Sequence, residues 1–262
     1  MKRALLDTET TGLPDDPDAR VVEVACTVHD DDCPDLLEAM TAADENDRLE
    51  TFVAHSQSWS SFVCPLVLTE AGLALSLRIS GITEDEIRGA PHPGVVLDRL
   101  GVFLDGFTTG VRTWNLAFDM PMFRRTFYEN LGLPDEVVWD GCAMLDFTHR
   151  WRSVAGINVE TMEPRWISVK RAARLSRITY SDEQAHRASA DTQLSSCIDY
   201  CSRKGITAPP VQNHPTRPIV LGSSGRKNPN SVKVGKIVLG APKANRRDPR
   251  SVTTRKIVIG KR

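Results

Sequence analysis

Apolar and polar positions change period several times along the chain, and each change predicts an element. The run Arg3–Asp7, built on Ala4, Leu5 and Leu6, predicts a strand. Thr10–Pro17 carries the Gly, Pro and Asp of a turn. Val21–Val28 is rich in β-branched residues, alternates from Val22 onward and predicts a second strand. Asp30–Glu50 is acidic, with Asp30-Asp31-Asp32 and Asp44-Glu45, and predicts an inserted, solvated loop with a short helix at Leu36–Met40. Trp59–Leu66 predicts a third strand.

The period then lengthens. Thr83-Glu84-Asp85-Glu86 has the spacing of a helix capping box. Val96, Leu100, Phe103, Leu104 and Phe107 follow at helical spacing, as do Phe118, Met122, Phe123, Phe127 and Leu131, before Gly132 and Pro134 stop the second stripe. Val111–Asn115 and Val137–Trp139 predict the fourth and fifth strands. Ala190, Leu194, Cys197, Ile198 and Cys201 predict a last helix packed on the body. Strands first, then helices alternating with strands, predict a mixed α/β sheet.

Past Gly205 the character changes. Pro209-Pro210 and Pro215 open a linker-like stretch. Pro229-Asn230-Ser231-Val232, leading to Lys236-Ile237-Val238-Leu239-Gly240, recurs as Pro249-Arg250-Ser251-Val252, leading to Lys256-Ile257-Val258-Ile259-Gly260. Arg217-Pro218-Ile219-Val220-Leu221-Gly222 is a degenerate third copy of the end. Each copy is too short to bury a core, which predicts tethered cassettes, disordered until bound. The expected division is a domain over 1–203, with the insert at about 30–50, and a basic tail over 204–262.

Charge sharpens that division. The formal net charge is −1, yet residues 203–262 hold 15 Lys/Arg and one acid, while residues 1–202 hold 18 basic and 33 acidic residues. Such a tail fits a nucleic-acid tether acting by counterion release. Its Ile-Val-Leu/Ile centres equally fit strand addition to a partner's sheet edge. It could also fold back on the acidic body, or be a plain flexible extension, and the sequence does not choose.

Apolar content of 40% supports a packed core. No apolar run is long enough to span a bilayer, and the N-terminus lacks signal-peptide organisation, so a cytoplasmic protein with no membrane partner is expected. The six cysteines include no Cys-x-x-Cys pair and predict reduced thiols. His29 and Cys33 are too few ligands for a zinc site.

The chemistry concentrates in three segments. Asp7 and Glu9, two apart on a predicted strand, share one face. Two like charges this close raise each other's pKa unless a cation intervenes, and oxygen-rich clusters favour hard divalent ions. Asp119 follows Trp114-Asn115-Leu116-Ala117-Phe118, and would also suit a helix N-cap. His186 and Asp191 sit in His186-Arg187-Ala188-Ser189-Ala190-Asp191. Five residues apart, they would not share a helical face, but His186 just before a helix and Asp191 inside it could point to one site. Histidine is suited to take a proton near neutral pH.

These three motifs, in this order, resemble those of the DEDDh (DnaQ-like) family of 3′→5′ exonucleases, over roughly residues 1–202. The resemblance implies an RNase H-like α/β domain: a mixed five-stranded sheet, its first three strands antiparallel, with helices on both faces. It implies that Asp7, Glu9, Asp119 and Asp191 hold two Mg²⁺ ions, with Mn²⁺ able to substitute, and that His186 deprotonates the attacking water. It places Thr10, Thr11, Gly12 and Leu13 along the terminal nucleotide, and Asn115 and Phe118 near the penultimate one. Ser80, before Gly81-Ile82-Thr83, stands where many relatives carry histidine. The implied function is removal of nucleoside 5′-monophosphates from single-stranded DNA or frayed 3′ ends, in proofreading beside a DNA polymerase or in end-trimming. RNA trimming by the same residues is an alternative, and a non-catalytic nucleic-acid-binding or scaffold protein acting through the tail is another.

Overall fold

The computed structural model describes residues 1–105, 110–151, 166–181 and 187–207. All belong to the first of two units, Met1–Asn213. Nearly all of the expected basic tail, with its repeats, lies outside the described residues, as do His186 and Phe107.

One five-stranded sheet organises this unit, in the order β3-β2-β1-β4-β5. Strands β1 (Lys2–Thr10), β2 (Val21–Asp30) and β3 (Gln57–Phe62) form an antiparallel meander. Strands β4 (Val111–Thr113) and β5 (Trp139–Cys142) run parallel to β1. The sheet is therefore mixed, as expected, with β1 at its centre. The fifth strand begins at Trp139 rather than Val137: Val138 is 63% exposed and only its carbonyl reaches β4, accepting from Val111 N.

Alternation along β1 divides the interior. Leu5 enters one core, with Phe147, Trp151, Leu194, Ile198 and Tyr200. Ala4 and Leu6 enter the other, with Val96, Leu100, Met122, Phe123 and Phe127. Each large apolar side chain so buried contributes about 1.5–3 kcal/mol. Val21–His29 are buried without interruption, so the alternation in β2 records two cores rather than a core and a solvent face.

Helices cover both faces. Among the described residues they are α1 (Pro34–Ala42), α2 (Arg48–Ala54), α3 (Glu70–Ser80), α4 (Glu84–Arg88), α5 (Pro93–Leu104), α6 (Leu116–Phe127), α7 (Ala143–Arg150), α8 (Val169–Leu175) and α9 (Ala188–Lys204). Thr83 and Glu86 form the expected capping box at the start of α4. The stripe from Phe118 breaks earlier than predicted: α6 ends at Phe127, a 3-10 turn spans Glu129–Leu131, and Gly132 takes the left-handed conformation.

The insert departs in part from expectation. The short helix expected at Leu36–Met40 is present as α1, but the segment is not a solvated loop: it runs into the start of α2, and Leu36 and Met40, with Phe52 just beyond it, are fully buried against the α9 core. Phe52 and Tyr200 contact the buried His29 ring, with centroids 5.2 and 5.5 Å away. The acids that gave the segment a solvated look, such as Asp35 and Glu38, lie on its outer face. The six cysteines are free thiols. No described helix is long and apolar enough to cross a membrane.

Candidate active site

Strand β1 runs past its last leucine to Thr10, because pairing with β2 continues through Asp7–Ala25 and Glu9–Glu23 before a register shift between Glu9 and Thr10. Asp7 and Glu9 therefore extend the face that Leu5 presents to α9. Asp191, in the first turn of α9, meets them from above. One oxygen each from Asp7, Glu9 and Asp191 lies within 4.8 Å of the others. The Thr192 hydroxyl donates to the Leu5 carbonyl at 2.8 Å, which fixes α9 on β1 beside this group.

Asp119 arrives separately. It lies inside the first turn of α6, not at its N-cap, which is Asn115. It is 3% exposed and accepts a 2.9 Å hydrogen bond from the Thr8 hydroxyl. Thr8 points away from Asp7 along β1, so Asp119 flanks the three-carboxylate group from the α6 side and is not a member of it.

The charges are mutually unfavourable. Burial, then the charges of Asp119, Asp191 and Glu9, push the Asp7 carboxyl well above its usual range. Burial, with the charges of Asp191, Glu23 and Asp119, pushes Glu9 up to about 7, against a hydrogen bond from Ser80 that favours its ionised form. Burial also raises Asp119, against the Thr8 bond. Ionised carboxylates in this arrangement lack a counter-charge that a divalent cation would supply, and an all-oxygen donor set suits a hard ion. The residues present thus fit a divalent metal.

The segment expected to face a nucleotide is held in shape. Thr10 Oγ1 donates to the Gly12 carbonyl at 2.8 Å, and Thr11 Oγ1 accepts from Arg20 N at 2.8 Å. A Cβ at Gly12 would stand 2.9 Å from Ala19 Cβ and 3.0 Å from Asp16 Oδ2, so only glycine fits the loop as it lies. Arg125 ties the loop down by donating to the Pro14 and Asp16 carbonyls at 2.8 and 2.6 Å. Leu13 is left 61% exposed. Asn115 has a buried Oδ1 without a hydrogen-bond partner, and Phe118 is half-buried beside the α6 core.

Three contacts at this site escape a reading of the sequence. Ser80 ends α3 just before the left-handed Gly81, and its hydroxyl donates to Glu9 Oε2 at 2.6 Å. Thr8 holds Asp119, as above. Glu23, opposite Glu9, binds Arg187 and the start of α9. Ser80 left a signal in its place before Gly81-Ile82-Thr83, and Glu23 as an acid inside an otherwise apolar strand.

No protein-family model matches the sequence, and no curated protein matches it. Solved structures do. The nuclease domain of 3′hExo, a DEDDh family member bound to rAMP, is 11% identical with a TM-score of 0.52, covering 79% of this chain and 94% of that domain. E. coli exonuclease I in complex with a dT13 oligonucleotide is 18% identical with a TM-score of 0.51, covering 78% of this chain. A moderately thermophilic exonuclease I from Methylocaldum szegediense is 16% identical with a TM-score of 0.50. The chain spans 41% of the length of each of these two exonuclease I chains. Five strands in mixed order, helices on both faces and this likeness together give the chain the RNase H-like fold of DEDDh exonuclease domains.

Proposed function

We propose that the chain is a divalent-metal-dependent 3′→5′ exonuclease acting on DNA 3′ ends. The observation that carries this reading is the convergence of Asp7, Glu9 and Asp191 within 4.8 Å, on the fold of exonuclease domains. Asp7, Glu9, Asp191 and the flanking Asp119 would hold two Mg²⁺ ions, or Mn²⁺ in their place. Bound there, the ions would make water acidic enough to attack at neutral pH and offset charge on the leaving oxygen. The His186 imidazole takes the proton of the attacking water. The water oxygen bonds to the last bridging phosphorus, the bond from that phosphorus to the 3′ oxygen breaks, that oxygen takes a proton from solvent, and a nucleoside 5′-monophosphate leaves a shortened strand with a new 3′ hydroxyl. Thr10–Leu13 line the terminal nucleotide, where the exposed Leu13 side chain suits a base. Asn115 and Phe118 stand near the penultimate nucleotide.

A second reading, trimming of RNA, is favoured by the rAMP bound to the 3′hExo domain, while the dT13 bound to exonuclease I favours DNA. The discriminating group is the 2′-hydroxyl of the terminal sugar. The purified full chain, incubated with Mg²⁺ and 5′-labelled single strands of DNA and RNA of one sequence, is expected to shorten DNA faster, as a ladder from the 3′ end. Faster shortening of RNA would transfer the assignment to RNA trimming. No shortening of either, with Mn²⁺ also tried, would leave a binding or scaffold protein. Association with a polymerase is a separate part of the proposal, checked by co-purification of the tagged chain from its host.

Ser80 offers a smaller test. Ser80→Ala removes the donor that favours ionised Glu9. Metal affinity is expected to fall about tenfold, with little change in folding, because hydrogen bonds to ligating carboxylates tune the ligand. A titration of Mn²⁺ against the folded variant measures this, and unchanged affinity would separate Ser80 from the metal site.

A further inference from the structure

Glu23 is a further acid beside the carboxylate group, but its oxygens are already engaged. It pairs with Glu9 across β1 and β2, so the two side chains leave the sheet on one face. Its Oε2 accepts from Arg187 Nε at 3.1 Å and from Ala188 N at 3.2 Å, and its Oε1 accepts from Arg187 Nη2 at 3.4 Å. The guanidinium also lies over the Phe62 ring, 5.0 Å from the centroid, and Phe62 pairs with Glu23 in the sheet.

These contacts fall where α9 begins. Arg187 occupies the N-cap position and its own side chain makes no cap, so Glu23 caps the first amide of α9 from a different element. Thr192 already fixes α9 to β1 through the Leu5 carbonyl. From there on α9 is held by its buried face, Leu194, Cys197, Ile198 and Cys201, which leaves its first turn to be fixed. The contacts at Arg187–Ala188, nearly a turn and a half before Thr192, fix that turn, and Asp191 lies between the two.

We propose that Glu23 and Arg187 are a positioning pair, a clamp that holds the first turn of α9 so that Asp191 meets Asp7 and Glu9 at metal-binding distance. The inference rests on the exonuclease reading for its effect on turnover, but not for its effect on metal binding. The bidentate fork is what the clamp needs, so lysine at position 187 keeps the charge and loses the geometry.

The test uses the full chain with Glu23→Gln, Arg187→Lys and the double variant. It reads Mn²⁺ affinity by electron paramagnetic resonance, kcat and KM on a labelled DNA strand, and the melting temperature. Each single variant is expected to weaken Mn²⁺ binding about tenfold and to lower kcat roughly 10- to 100-fold, with KM for the strand within about twofold. The double variant is expected to be no worse than the poorer single, since either change opens the same clamp. A lowered melting temperature with unaltered Mn²⁺ affinity would make the pair merely structural and overturn the proposal. A raised KM confined to Arg187→Lys would assign Arg187 to substrate phosphate and also overturn it. If the unmodified chain binds Mn²⁺ but shortens no strand, the exonuclease reading fails, and the clamp stands or falls on Mn²⁺ affinity alone. If it binds no Mn²⁺, both are overturned.

Discussion

Asp7→Asn is expected to remove turnover and, in the metal-free protein, to raise the melting temperature. The two effects share one cause. Asp7 is hemmed in by Asp119, Asp191 and Glu9, and burial and their charges disfavour its ionised form. Asparagine keeps the shape and removes the charge, so the metal-free fold sheds repulsion. A gain of roughly 0.5–2 kcal/mol is expected, the range in which single relieving substitutions fall. For a fold of this size each kcal/mol moves the midpoint by about 2–4 °C. The same change deletes a charged ligand, and turnover should fall at least about 10³-fold, a few kcal/mol of lost transition-state stabilisation. Strand shortening and a thermal melt in chelator measure both. Persisting activity would remove Asp7 from the metal site. A lower melting temperature would show that the cluster is not strained when empty of cations.

The second large effect is on pH. Glu9 is pushed up to about 7 in the folded protein, from 4.5 in an open chain, and Asp7 and Asp119 move in the same direction. Between these limits the folded state binds more protons than the unfolded state. The carboxylates' contribution to metal-free stability must therefore fall as pH rises through about 4.5 to 7, while His29, whose buried imidazole is held below its usual range, opposes part of that fall. Glu9 alone supplies on the order of 3 kcal/mol across it. Melting temperatures in chelator should drop by roughly 6–12 °C between its ends. Saturating Mn²⁺ should reduce the drop, since a cation favours the ionised forms and adds binding energy to the folded state. Asp31 works in the opposite sense: despite its burial, His29 and Arg203 hold it below the usual carboxylate range. Its contribution is lost only under more acidic conditions, so the two windows do not overlap. Glu9→Gln should remove much of the drop in melting temperature in chelator, and a drop that the substitution leaves unchanged would contradict the arrangement of the carboxylates.

Much of this fold is legible because local pattern and tertiary packing agree. β1, β2, the capping box at Thr83, α5, α6 and α9 all follow from periodicity and caps. Where they disagree, packing wins. Leu73, Leu75, Leu77 and Ile79 alternate with the period of a strand, yet they lie in α3, bounded by the Thr69 cap and left-handed Gly81, and Leu77 and Ile79 are left about half exposed. In the insert, surface acids outnumber Leu36 and Met40 and mask a face that only the α9 core reveals. For the site, a period of two is enough to pair Asp7 with Glu9. Nothing local brings Asp191 to them, or gives Ser80 to Glu9 and Thr8 to Asp119, since those contacts span 71 to 184 residues of chain.

The order of the elements along the chain sets when the site can exist. β1, β2 and β3 are neighbours in both sequence and sheet and can pair as soon as they are made. β1 still lacks its parallel partner β4, and the core around Leu5 stays open until α9, the last of these elements, docks. The same docking delivers Asp191. Closing long loops late makes such a fold slow to finish and leaves apolar surface bare in the interval. It also means that a chain growing on a ribosome cannot bring Asp191 to Asp7 and Glu9 before that core is sealed.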